Sequence, residues 1–175
     1  MAQVLGRSIF AALALILSFG AYAADKKSND GKASKSDASF MMDAANDSLA
    51  EIELGKVVQQ KSQNADVKAF SQRLVDDHTK ANQELAPIAT KMGVSLPKAP
   101  TGSHAKLVKE LSKKDKRFDH EYAEAMVEDH EKAVKLFEKT SKKGDSDEVR
   151  QFAAKTLPTL QEHLKMAQDL KKKVK

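Results

Sequence analysis

The sequence predicts an all-α protein, an antiparallel four-helix bundle with a short extra helix in the crossover. Three observations predict it. Apolar residues recur at three- and four-residue spacing in four long stretches between Ser39 and Leu170. No stretch combines two-residue alternation with β-branched enrichment, so no strand is expected. Very short turns join the long stretches in two pairs, which makes the members of each pair antiparallel neighbours.

The chain opens with a targeting signal. Arg7 precedes the apolar run from Ile9 to Phe19, and Ala21-Tyr22-Ala23 forms a small-x-small cleavage site. The run of about 11 residues falls short of the ~20 that a membrane-spanning helix needs. Residues 1–23 are therefore expected to be a signal peptide removed on export, most simply to a bacterial periplasm. No cysteine follows the run, which excludes a lipoprotein anchor. Residues 24–38 hold little that can pack and are expected to be a disordered tether to a folded domain over residues 39–175.

The first long helix is expected over Ser39 to Lys61, with Phe40, Ala44, Ile52, Gly55 and Val58 among its apolar positions and Asn64 beyond its end. The second starts near Ala65 and carries Val67, Phe70, Leu74, His78, Ala81, Leu85 and Ile88. Gly93 stops it, and the loop from Val94 to Gly102 holds two prolines. Ser103 can cap a short helix bearing Leu107, Val108 and Leu111. The next long helix is expected over Asp115 to Lys142, with Phe118, Tyr122, Met126, His130, Val134 and Phe137 on one stripe, and Gly144 follows it. The last begins after Asp145-Ser146 and carries Val149, Phe152, Thr156, Leu160, His163, Ala167 and Leu170. The connection between the two hairpins is long enough to cross over the bundle. Pro87 and Pro158 fall within the second and last long helices, where a missing amide proton is expected to kink the chain.

Composition narrows the function. There are no cysteines, so thiolate metal sites, cysteine nucleophiles and disulfides are excluded. Losing Arg7 with the signal takes the formal charge from +5 to +4, and the lysines are interleaved with acids. With no tryptophan and two tyrosines a nucleic-acid role is not expected. Lys171, Lys172, Lys173 and Lys175 fit a weak contact with an anionic membrane surface, and equally a solvated helix end favoured by the macrodipole.

The unusual feature is polar. His78, His130 and His163 stand on the apolar stripes of three different long helices, and the fourth stripe carries Glu51. Such groups are costly to bury without partners. Glu51 shares its stripe with Leu54, Gly55 and Val58, whereas Glu53 faces Lys56 and Gln60. All four polar groups lie about 18–27 Å from their own hairpin turns, so within each hairpin the two polar groups reach nearly matching depths. Whether the two hairpins' levels coincide depends on their relative slide. Gly55, one turn from Glu51, is expected to leave room for a group or a water. Three histidines and a carboxylate suit one divalent transition-metal ion, Zn²⁺, Cu²⁺, Fe²⁺ or Mn²⁺. Asp119 and Asp77 are candidates for an extra ligand or an outer hydrogen-bond acceptor, and Met126 and Met166 for soft ligands that favour copper. The alternative is a purely structural layer, with Glu51 in a buried ion pair and His130 and His163 bonded to Tyr122, Thr156 or backbone. His104 and His120 are expected to face solvent.

The segments Ala50–Lys56 (AEIELGK), Val67–His78 (VKAFSQRLVDDH), Arg117–His130 (RFDHEYAEAMVEDH) and Phe152–Leu164 (FAAKTLPTLQEHL) resemble, in this order, the exported bacterial proteins of domain of unknown function family 4142. The resemblance runs from Phe40 to about Leu170 and implies a ferritin-like bundle in the periplasm or cell envelope. It supplies no established activity. Its motif positions include Glu51, His78, Asp119, His130 and His163, which adds weight to Asp119. Unlike the carboxylate-bridged di-iron bundles, this chain has no Glu-x-x-His motif, so no di-iron centre is expected. No Ser-His-Asp order, glycine-rich phosphate loop, paired-carboxylate motif or organic-cofactor motif is present. The sequence thus favours a metal-binding bundle for metal handling or envelope stress protection, without catalytic residues. The other reading is a non-catalytic envelope module that binds a small ligand, a protein or the membrane surface.

Overall fold

The computed structural model describes residues 31–174, so the expected signal peptide, residues 24–30 of the expected tether and Lys175 lie outside the described residues. Among the described residues the chain forms α1 (Lys35–Lys61), α2 (Ala65–Lys91), α3 (Gly102–Ser112), α4 (Phe118–Lys143) and α5 (Asp147–Lys173), with no strand. None of these helices is long and apolar enough to cross a membrane.

Helix α1 starts four residues before the expected Ser39, inside the stretch read as a disordered tether. Ser34 caps it, its hydroxyl accepting the Asp37 N–H at 3.0 Å. Asp37 is buried and accepts the backbone N–H groups of Asp145 and Ser146 at 3.1 and 2.8 Å. These donors lie more than 100 residues away along the chain, which local composition cannot reveal. Gly144 ends α4 with an ordinary φ of −57°. A Cβ on it would stand 2.9 Å from the Thr140 carbonyl oxygen and 3.4 Å from Asp37 Oδ1, so glycine here keeps the turn open to Asp37.

Other boundaries shift for local reasons. Asn64 caps α2, accepting the Asp66 and Val67 N–H groups at 2.9 and 3.4 Å, rather than simply following α1. Thr101, not Ser103, stands before α3. It is tied to α1 through its N–H, which donates to Asn46 Oδ1 at 2.8 Å. Helix α4 begins after the expected Asp115 because Arg117 takes a left-handed φ of 61°. Pro87 and Pro158 lie inside α2 and α5, which continue past them. The residues whose carbonyls lose a donor, Gln83 and Ala154, are exposed, so water can satisfy them.

The hairpins α1–α2 and α4–α5 pack into a ring in which α2 also touches α5 and α1 touches α4, while α3 lies against α1 and α4. Lys91 pairs with Glu148 at one end of the α2–α5 seam, and Lys173 with Asp66 at the other, 3.1 Å apart. Adjacent long helices are therefore antiparallel. Lys61, closing α1, reaches Asp115 just before α4 at 2.9 Å, so the connection holding α3 runs the length of the bundle.

The apolar core falls into two clusters. One gathers Leu54, Val58, Val67, Phe70, Leu74, Phe118, Tyr122, Met126 and Leu170. The other gathers Phe40, Met41, Leu85, Phe137, Val149, Phe152 and Leu160, with the Phe40 and Phe137 rings edge to face at 4.9 Å. Between the two clusters in chain order on every long helix lies a polar residue.

Candidate metal centre

Each long helix contributes one residue to this layer: Glu51 from α1, His78 from α2, His130 from α4 and His163 from α5. None is more than 4% exposed. The three imidazole centroids form a near-equilateral triangle with sides of 5.3, 5.5 and 5.9 Å. The hairpins therefore slide into register. Asp37 helps to explain why: it precedes Glu51 by about 21 Å of α1, and its partner Asp145 follows His130 by about 22 Å of α4, at 1.5 Å per residue.

Each histidine has one ring nitrogen committed to an outer partner. His130 Nδ1–H donates to the Met126 carbonyl oxygen at 2.9 Å. His163 Nε2–H donates to Asp77 Oδ2 at 2.9 Å, and Asp77 also accepts from Arg73. His78 Nδ1 lies 3.1 Å from the Ser48 hydroxyl. A carbonyl and a carboxylate only accept, which fixes the tautomers of His130 and His163. The remaining nitrogens are His78 Nε2, His130 Nε2 and His163 Nδ1, and the three histidines can each offer a ligand atom within 4.8 Å of the others.

Glu51 completes the layer. Its Oε2 lies 2.9 Å from His78 Nε2 and its Oε1 3.5 Å from His130 Nδ1. Yet neither Glu51 oxygen nor His78 Nε2 makes an aligned hydrogen bond. Buried polar atoms without partners are rare and call for an explanation. His130 Nε2 and His163 Nδ1 stand 3.3 Å apart. Two ligand atoms each ~2.0–2.1 Å from a common ion are about 2.9 Å apart at a right angle and about 3.3 Å apart at the tetrahedral angle. The Glu51–His78 and His130–His163 pairs have that spacing, and three buried histidines with ligand atoms within 4.8 Å of one another could hold a metal ion.

Electrostatics reflect the crowding. Burial alone would raise the Glu51 carboxyl, but the fields of His130 and His78 outweigh it and hold it at about 2. Burial opposes a charge on His78, yet Glu51, with help from Asp47 and Asp77, raises it above the usual imidazole range. Burial lowers His163 to about 4 against the pull of Asp77, and His78 and His130 add to the lowering. Burial, Asp47 and Glu51 push Asp129 up to about 6.

Of the residues singled out from sequence, Glu51, His78, His130 and His163 come together. Asp119 does not join them: it lies in the first turn of α4, eleven residues or about 16 Å along the helix from His130. A shared stripe gives a shared face, not a shared height. Its Oδ1 is buried without a hydrogen-bond partner. Asp77 is the outer acceptor of His163. Met126 and Met166 pack in the apolar cluster. Gly55 leaves no vacant space beside Glu51, because a Cβ there would stand 2.2 Å from Val75 Cγ2. Thr156 donates to the Phe152 carbonyl, not to a histidine. His104 is only partly exposed and lies 3.3 Å from Asp47, and His120 Nδ1 lies 3.3 Å from the Val174 carbonyl oxygen.

Ser48 was missed. It is buried on α1, three residues before Glu51, and a polar residue on that stripe was the available signal. The contact between Asp47 and His104 had no signal, because it depends on where α3 lands.

Fold and site together define a four-helix bundle with a crossover helix and a buried histidine–carboxylate layer. The chain belongs to the family described as Domain of unknown function (DUF4142), whose model matches residues 22–170. A solved structure, described as the crystal structure of a DUF305 fragment from Deinococcus radiodurans, has a similar fold. Its TM-score is 0.70 at 13% identity, over 82% of this chain and 99% of that one. At that identity the likeness speaks for the fold alone. No curated protein matches the chain.

Proposed function

We propose that this chain is an exported bundle that binds one divalent transition-metal ion, Zn²⁺, Cu²⁺, Fe²⁺ or Mn²⁺, through His78, His130, His163 and Glu51. One observation carries the reading. Each histidine ties one nitrogen to an outer partner and leaves the other in a shared interior that also holds a carboxylate without hydrogen bonds. Outer partners of this kind orient metal-binding imidazoles. Glu51 supplies a negative charge inside the layer, whereas Asp77, already paired with Arg73, serves to orient His163. Four protein ligands fill a tetrahedral shell, as in closed sites. That favours holding an ion, in metal handling or envelope stress protection, over turning over a substrate. With one carboxylate in the layer and no Glu-x-x-His motif, a bridged di-iron pair has no ligand set. The apolar run before Ala21-Tyr22-Ala23 supports export to the periplasm.

The purified chain, equilibrated with Zn²⁺, Cu²⁺, Fe²⁺ or Mn²⁺ and dialysed, is expected to retain about one equivalent of at least one of them by mass spectrometry. Less than about a tenth of an equivalent of every metal would overturn the reading.

A second reading keeps the layer and replaces the ion with protons. The raised His78 and lowered Glu51 favour it, since they describe a buried ion pair. In that case the bundle is an envelope interaction module with a structural polar core. Its lysine-rich end is poorly suited to a membrane surface, because Lys171, Lys172 and Lys173 pair with Glu124, Asp169 and Asp66.

A further inference from the structure

Helix α3 packs against both α1 and α4, and its first turn is clipped to α1. The Asn46 amide lies 2.9 Å from His104 Nδ1, and His104 Nε2 lies 3.3 Å from Asp47 Oδ1. Two spaces meet at these residues. Outside, a groove of about 310 Å³ between α3 and α4 has His104, Glu110, Glu128 and Asp129 in its walls, with Lys106 and Lys132 beside them. Inside, a cavity of about 10 Å³ has Asp47, Ser48, His78 and Asn82 in its walls. That volume suits roughly one water-sized occupant. Asp47 thus joins a groove residue to the cavity beside His78, and it stands one helical turn before Glu51. Asp129, in the groove wall, directly precedes His130 and feels the fields of Asp47 and Glu51. The two carboxylates are mostly covered, at 17% and 15% exposed.

The opposite seam is held more tightly. Between α2 and α5, Asp77 and Glu84 pair with Arg73 and Lys155 at 2.5 and 2.7 Å, and Glu148 pairs with Lys91. In the groove Lys106 and Lys132 stand 3.7 Å from Glu110 and Asp129, and Asp47 is met by His104.

We propose that a divalent cation reaches the histidine layer from the α3–α4 groove, passing from Asp129 to Asp47 and then through the small cavity to His78, with His104 holding Asp47 at the inner mouth. The route rests on the metal reading of the layer. It uses two similarly covered carboxylates and then the buried Ser48 hydroxyl, so that water leaves the ion stepwise as these oxygens replace it. His104 releases Asp47 as the cation takes its place.

Stopped-flow mixing of the purified chain with Co²⁺ alone tests this, reading the visible absorbance of histidine-bound cobalt. The Asp47→Asn/Asp129→Asn double variant is expected to slow both capture and release about tenfold. Its equilibrium affinity is expected to stay within about threefold of wild type, since a route changes rates in both directions alike. The wild-type capture rate should fall as salt rises, and the double variant should flatten that dependence. A charge-matched control, Glu53→Gln/Glu138→Gln, should keep the wild-type rate. Should the double variant fold poorly by circular dichroism, Asp129→Asn alone is expected to slow capture about threefold. A folded variant that captures cobalt within about twofold of wild type overturns the route while leaving the site intact. A wild-type chain that shows no histidine-bound cobalt overturns both.

Discussion

His130 Nε2 faces His163 Nδ1 across 3.3 Å, and in neutral rings both atoms carry lone pairs. The outer nitrogens settle this: His130 Nδ1–H is given to the Met126 carbonyl and His163 Nε2–H to Asp77. Two lone pairs at that distance repel unless a proton or a cation stands between them. A cation meets both lone pairs, and its uptake should expel a proton from the third ring, because Glu51 raises His78 above the usual imidazole range. Near neutral pH we expect about one proton released per ion bound. Calorimetric titrations in buffers of different ionisation enthalpy will count it, and zero release would argue that His78 carries no proton beside Glu51.

Asp77 holds His163 from outside the layer. Asp77→Asn keeps the size of the side chain but weakens the hold on the ring, and the expected cost is about 10–100-fold in metal affinity. Asp76→Asn, on the exposed side of the same turn, should leave affinity unchanged. Competition with a chromophoric chelator measures both, and equal effects from the two variants would remove Asp77 from this role.

The metal-free chain should be most stable near the ordinary imidazole pKa. His163 is held at about 4 when folded, so below about 6.5 the unfolded chain binds a proton that the folded chain refuses. Stability is lost as pH falls from 6.5 to 4, on the order of 3 kcal/mol. Glu51, held at about 2, adds a further loss as pH drops from its unfolded value near 4.5 toward 2. His78 is raised: its contribution is complete below about 6.5 and fades as pH climbs through its folded pKa. Urea midpoints across this range, with a chelator present, should form a dome. His163→Leu should flatten the acid limb between 6.5 and 4, and an unchanged limb would contradict the assignment.

Gly55 lets α2 pack close against α1. An alanine there would place its Cβ 2.2 Å from Val75 Cγ2, so Gly55→Ala should destabilise the bundle by about 1–3 kcal/mol. Val75→Ala in the same chain should recover most of that loss. Thermal melts of the single and double variants decide whether the clash is the cause.

The long helices and the four core polar residues were legible because both follow from helical spacing, which is local. His78, His130 and His163 occupy positions where neighbours such as Leu74, Met126 and Leu160 are buried. What escaped depends on contacts between distant segments. The early start of α1 waits on Asp37 meeting Ser146, and the half-buried state of His104 waits on α3 reaching Asp47. Asp119 shows the converse limit. Spacing placed it on the same stripe as His130, but no local pattern said that it lay three turns too far along.

The bond from Asp37 to the α4–α5 turn also constrains where this chain can change in length. Glu51 sits fourteen residues beyond Asp37, and His130 fifteen before Asp145. A single residue gained or lost in either span would turn the downstream side chain by about 100° and shift it about 1.5 Å. Length changes within these spans should therefore come as whole turns, matched in both. The loop before α3, which lies outside both spans, is free to vary one residue at a time.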